Sequence, residues 1–112
     1  MKYTSKIYAH EILKVIPNKK IEIICRDKNN EFIKKYNLKK ADVIEIVTSL
    51  NVQSFKEKIE NLDPRINAKY LYVFNPLIKL TDAYGSTIDH VYVKICELNN
   101  NILVVSIHHN DN

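Results

Sequence analysis

IDHVYVKICELNNNILVVSIHH, residues 88–109, reads as two strands joined at Asn99, Asn100 and Asn101. Val91, Val93 and Ile95 alternate with Tyr92, Lys94 and Cys96, and Leu103, Val105 and Ile107 alternate with Val104, Ser106 and His108. Period-two alternation around a turn-forming cluster is the signal of a β-hairpin. Directly opposed residues of an antiparallel pair share a face. A two-residue loop would set Ile95 against Val104 and Lys94 against Val105, mixing Lys94 with the apolar set. A three-residue loop sets Ile95 against Val105, Val93 against Ile107, Lys94 against Ser106 and Tyr92 against His108. Only the second register keeps one face apolar. It needs a left-handed residue at the last loop position, and Asn101 suits that need. The expected result is a dry face for the core and a second face gathering Tyr92, Lys94, Ser106 and His108.

Working outward, the 112 residues predict a single domain spanning 1–112. Apolar content of 46% and charged content of 27% are those of an ordinary globular domain. No stretch approaches the run of about 18 apolar residues that a membrane helix requires. The N-terminus lacks the pattern of a signal peptide. Cys25 and Cys96 both fall within apolar strand patterns, so two buried thiols and a reducing cytoplasm are expected. Net charge is +4, unevenly spread: residues 1–58 carry 13 Lys+Arg against 7 Asp+Glu, and the remainder 4 against 6. A basic half points to an acidic partner, nucleic acid or protein, or simply to a soluble surface.

Tyr8, Ile12, Val15 and Ile16 predict an amphipathic helix over 4–16, ended by Pro17. Lys2, Lys6, His10 and Lys14 would then form a basic stripe or an ordinary solvated face. KIEIICR, 20–26, predicts a strand with Ile21, Ile23 and Cys25 on one face. Asp27 to Tyr36 predicts a short helix with Phe32, Ile33 and Tyr36 inward. Val43, Ile46, Val47 and Leu50 mark the clearest helix, 39–50, with a poor cap at Lys39 or Lys40. Asn51 to Asn67 reads as polar and irregular, anchored by Phe55. Lys69 to Phe74 predicts a strand whose Tyr70, Tyr72 and Phe74 would be a core row or a stacking surface for RNA bases. Asn75 to Thr87 reads as a long loop. These elements predict an α+β domain: an antiparallel β-sheet with helices packed on one side.

Several chemistries find no support. A single glycine cannot form a phosphate-cradling loop, and neither Cys-x-x-Cys nor His-Glu-x-x-His occurs. His108 and His109 alternate across a strand and cannot jointly chelate; His90 near His108 offers a weak metal pair at most. No metal or cofactor is expected. The polar hairpin face suits RNA cleavage by the internal 2′-hydroxyl, with a histidine moving protons, a lysine stabilising charge and a tyrosine orienting the hydroxyl or the phosphate. An exposed polar sheet face without activity uses the same four residues.

The segments NEFIKKYNLKKADVIEIVTSLNVQSF, LYVF, VYVKI and ILVVSIHH, taken in that order, resemble the MqsR family of bacterial toxins, messenger-RNA interferases of type II toxin-antitoxin systems. The resemblance runs from Asn30 to His108. It implies a RelE-like fold with the site on the C-terminal hairpin, metal-independent endoribonuclease activity on mRNA, and a cytoplasmic location. It also implies a cognate antitoxin, acidic and carrying a DNA-binding helix-turn-helix. The family's catalytic tyrosine falls on Tyr92 and its C-terminal basic residue on His108. Its lysine after Ser-Phe falls by strict count on Glu57, with Lys56 and Lys58 one step away as phosphate contacts; Lys94 and Ser106 would support the site. A family glutamine before the aromatic strand has no counterpart around Lys69 and Tyr70. The other expectation is a non-catalytic RNA- or protein-binding module, either a degenerate toxin or a phage-type inhibitor of an acidic protein.

Overall fold

A computed structural model describes residues 2–110. Seven strands and three α-helices occur in the order β1 (Lys2–Tyr3), α1 (Ala9–Leu13), β2 (Lys20–Ile23), α2 (Asp27–Lys35), α3 (Lys40–Thr48), β3 (Phe55–Glu60), β4 (Tyr70–Phe74), β5 (Leu77–Asp82), β6 (Gly85–Glu97) and β7 (Asn101–His109). The sheet runs β1-β3-β4-β6-β7-β2, with β5 paired to the first half of β6. All pairings are antiparallel except β2 with β7. This is an α+β fold with an open, mostly antiparallel sheet. Among the described residues, no helix is long and apolar enough to cross a membrane.

The main core lies between one sheet face and the helices. Ala9 and Ile12 of α1, Phe32 of α2, and Val43, Ile46 and Val47 of α3 pack with Phe74, Val91, Val93, Ile95, Val104 and Ile107. The spacing of α3 explains its burial, and its weak cap is relieved when Asp42 accepts the Lys39 backbone N–H at 2.7 Å. Asn37 closes α2 in the left-handed region (φ 49°), which asparagine tolerates. On the opposite face Cys96 and Val105 pack with Leu71 and Ile66 under the 61–69 loop. Asn61 holds that loop, donating to the carbonyls of Ile66 and Ala68 and accepting from the Asp63 N–H.

Several expectations are corrected. The 4–16 helix is broken into a 3-10 turn (Lys6–Tyr8), the short α1, and a second 3-10 turn at Ile16–Asn18 that contains Pro17. The basic stripe therefore does not form; Lys6 instead donates to the Val52 carbonyl. Cys25 lies beyond β2 and is exposed, whereas Cys96 is buried. The supposedly irregular 51–67 segment contains β3, and the supposed 75–87 loop is a hairpin of β5 and β6.

The β6–β7 hairpin combines both registers that the sequence allows. Val93 opposes Ile107, Lys94 opposes Ser106 and Tyr92 opposes His108, as the three-residue loop predicts. Nearer the turn, Ile95 opposes Val104 and Cys96 opposes Leu103, the two-residue register. A β-bulge that takes in Val105 joins the two, adding one residue on β7. Asn101 accordingly opens β7, and Asn37 is the sole non-glycine residue with positive φ among those described. The Leu98 N–H closes the turn on the Asn101 carbonyl, and the turn is also held from outside, where the Lys19 ammonium donates to the Asn99 carbonyl and the Lys20 N–H to that of Asn100.

The bulge is stabilised by a helix. β2 stops at Ile23, and its last bond to β7 runs from the Ile24 N–H to the Val104 carbonyl at 3.0 Å. Beyond it the Asn29 side chain takes the strand's place. Its amide donates to the Val105 carbonyl (3.1 Å) and its oxygen accepts the Ile107 N–H (2.8 Å). Asn29 is 1% exposed, so no solvent could substitute.

Candidate functional site

Residues 92, 94 and 96 of β6 share the face opposite the helices, and the bulge brings Ser106 and His108 of β7 onto it. Tyr92 and His108 lie ring on ring, centroids 5.0 Å apart and planes within 10°. The His108 Nδ1 sits 2.9 Å from the His109 carbonyl oxygen. A carbonyl only accepts, so Nδ1 carries a proton, and in the neutral ring Nε2 is left as the acceptor. Burial, and then the Glu57 carboxylate, raise the Tyr92 hydroxyl above the ordinary tyrosine value, so it stays protonated near neutrality. Burial, and then the Arg26 guanidinium, lower the Lys94 ammonium below the ordinary lysine value. Ser106 is 7% exposed and lies beneath the site rather than on its surface.

The two lysines assigned from β3 part company. Lys56 is exposed and sits at a second bulge, between Phe55 and Glu57. Its strand is two away from β6, about 10 Å at ordinary strand spacing. Lys58 opposes Tyr72 and faces the helices, away from Tyr92 and His108. Its ammonium lies 4.2 Å from the Tyr70 ring centroid and 5.0 Å from that of Tyr8, with Tyr3 and Tyr72 completing a cage. Glu11 binds it at 2.8 Å. Burial pulls its pKa down, but the Glu11 hydrogen bond and the tyrosines outweigh that and set it above the usual lysine value. Lys58 is thus occupied within the fold, and the phosphate contact expected of it is corrected. The same geometry makes Tyr70, Tyr72 and Phe74 a helix-facing row rather than a stacking surface.

Two groups escaped the sequence reading. Arg26, just before α2, reaches across to Asp63 at 3.1 Å. Arg65 grips the same carboxylate, and its hydrogen bonds hold Asp63 down at about 2. With Lys94 and Val105 these residues line an open groove of about 580 Å³. The second is a hydrogen-bond chain at the end of β7. Tyr36 hydroxyl meets His109 Nε2 at 2.5 Å, and His109 Nδ1 faces the Asp89 carboxylate at 3.3 Å. A carboxylate only accepts, so Nδ1 is the donor, and in the neutral ring Nε2 accepts from the Tyr36 hydroxyl. His108 and His109 alternate as expected, and His90 is exposed with Nδ1 3.2 Å from the Asn75 carbonyl. Among the described residues, no group of three or more His, Cys, Asp or Glu is placed to hold a metal ion.

The arrangement can do acid–base work on a phosphodiester. It offers an acceptor nitrogen, a protonated phenol and two cations within one open face. No protein-family model matches the chain, and searches of curated proteins and of solved structures return no match.

Proposed function

We propose that the protein is a RelE-like, MqsR-family ribonuclease toxin that cleaves mRNA without a metal. The observation that carries the reading is the Tyr92–His108 stack, with the His108 Nε2 free and Lys94 and Arg26 on the same face. His108 takes the proton of the 2′-hydroxyl, and the O2′–P bond forms as the P–O5′ bond breaks. Tyr92, kept protonated, gives its proton to the departing O5′. Lys94 and Arg26 offset the charge gathering on the phosphoryl oxygens. The products are a 2′,3′-cyclic phosphate and a 5′-hydroxyl. The partner holding this activity off is an acidic antitoxin with a helix-turn-helix, and the setting is the cytoplasm.

One observation favours a second reading. Lys58 is caged and the Glu57 carboxylate stands on the site face, which weakens the positive field there. A non-catalytic RNA- or protein-binding module tolerates that arrangement.

The test is induction in bacteria with mapping of new RNA 5′ ends, repeated with Tyr92→Phe and His108→Ala. Cleavage by the parent should persist in chelator, and either substitution should reduce it by about a hundredfold or more. Both side chains are half-exposed, so melting should shift little. Growth arrest without new ends would favour the binding module. Full cleavage by the double variant would remove the assignment.

A further inference from the structure

A second pocket, of about 220 Å³, opens between α2 and the end of β7. Lys28, Glu31, Phe32 and Lys35 line it from α2, at the i, i+3, i+4 and i+7 positions that form one helical stripe. His108 and His109 line it from β7. The floor is aromatic: Phe32 meets the His109 ring edge-on at 5.4 Å, and His109 is fixed by Tyr36 and Asp89. The volume lies below the range of about 300–1,000 Å³ that drug-sized ligands occupy, and it suits one flat heterocycle.

We propose that this pocket is a base-reading subsite for the nucleotide flanking the cleaved bond, with the Glu31 carboxylate selecting a base that carries an exocyclic amino group. The inference rests on the ribonuclease reading above, because His108 is shared by pocket and site. Lys28 and Lys35 bracket Glu31 and meet the phosphates on either side of that base. A carboxylate is acceptor-only, so it pairs with the amino groups of cytosine, adenine or guanine. Uracil has no amino group, and the two carbonyl oxygens that flank its single N3–H donor are repelled by the carboxylate. Aromatic rings below the base add stacking that any base can use, so discrimination falls on Glu31.

The experiment uses short oligonucleotides with a single ribonucleotide at the cleaved position and each base in turn on either flank. Cleavage kinetics are read alongside fluorescence-anisotropy binding of all-deoxy versions. One flanking position should favour amino-bearing bases over uracil by about tenfold in kcat/KM and in binding. Glu31→Gln, whose amide both donates and accepts, should cut that preference to about twofold or less without moving the melting temperature. Cleavage with no flanking preference, or a preference unchanged in Glu31→Gln and Glu31→Ala, overturns the subsite and leaves the ribonuclease reading standing. A Glu31-dependent binding preference without cleavage supports the subsite and refutes the ribonuclease reading.

Discussion

Replacing Asn29 by alanine tests whether α2 sets the register of the hairpin. The substitution removes a donor from the Val105 carbonyl and an acceptor from the Ile107 N–H, both deep in the structure. A third bond, to the Ile24 carbonyl at 3.0 Å, goes with them. A buried polar group left without its partner costs about 1–3 kcal/mol. Two such groups on β7 give a loss of about 2–6 kcal/mol, a large share of the roughly 5–15 kcal/mol typical of a small domain. At about 4 °C per kcal/mol, the melting temperature should fall by about 8–24 °C. The urea midpoint should fall while the slope holds, since the surface exposed on unfolding barely changes. Asn29→Asp should be no milder, because a carboxylate keeps the Ile107 bond but turns an acceptor toward the Val105 carbonyl. A loss below about 0.5 kcal/mol in Asn29→Ala would refute the role given to Asn29, since that is the scale of an ordinary surface change.

The remaining predictions follow from particular side chains. Cys25 should react quickly with a thiol reagent while Cys96, whose pKa burial raises to about 11, reacts only on unfolding; equal rates would contradict the packing of β6. Asp63 is held down at about 2 by Arg65, so its contribution is complete above its ordinary 3.8 and is lost as pH falls through about 2. Limited proteolysis of the 61–69 loop should therefore rise in that acid window, and in Asp63→Asn at neutral pH. Lys58 has a raised pKa, so its contribution holds below the ordinary 10.5 and is lost as pH rises through the higher folded value; Lys58→Met should blunt that alkaline loss of stability. Binding of the acidic antitoxin proposed above should weaken with salt, because exposed charges are screened within about 8 Å at physiological ionic strength; binding unchanged between low and high salt would point to a mainly apolar interface.

Legibility in the sequence followed locality. The α3 stripe could be read because neighbours in sequence set it, and the Tyr92–His108 pairing was legible from the alternation of the two strands, although a bulge at Val105 rather than a three-residue turn produces it. β3 was hidden because Lys58 occupies a helix-facing position where an apolar residue is expected, and a cage of tyrosines from three other segments makes that tolerable. β5 was hidden because Pro76 and Gly85 bracket it and its outer face leaves Leu77 and Lys79 exposed. Arg26 gave no signal, since its position depends on β2 pairing in parallel with β7 across most of the chain. The same distance hid Asn29, which lies 76 residues from the carbonyl it binds.

The Val105 bulge shows why the site depends on that distant contact. Continued past Ile95, the two-residue register of the turn would set Lys94 against Val105, Val93 against Ser106 and Tyr92 against Ile107. Ser106 would then face the helices, and Ile107 would stand beside Tyr92 in solvent. One extra residue on β7 reverses this. Val105 stays in the small core with Cys96 and Leu71, Ile107 enters the main core, and His108 comes to lie on Tyr92. A single sheet face is therefore dry at the turn end and polar at the site end. Beside the bulge, the other edge of β7 has no strand to bond because β2 has ended, and the Asn29 amide meets that need. Burial of the core and placement of His108 are thus coupled through one side chain, so a change that loosens Asn29 should lower stability and separate His108 from Tyr92 together.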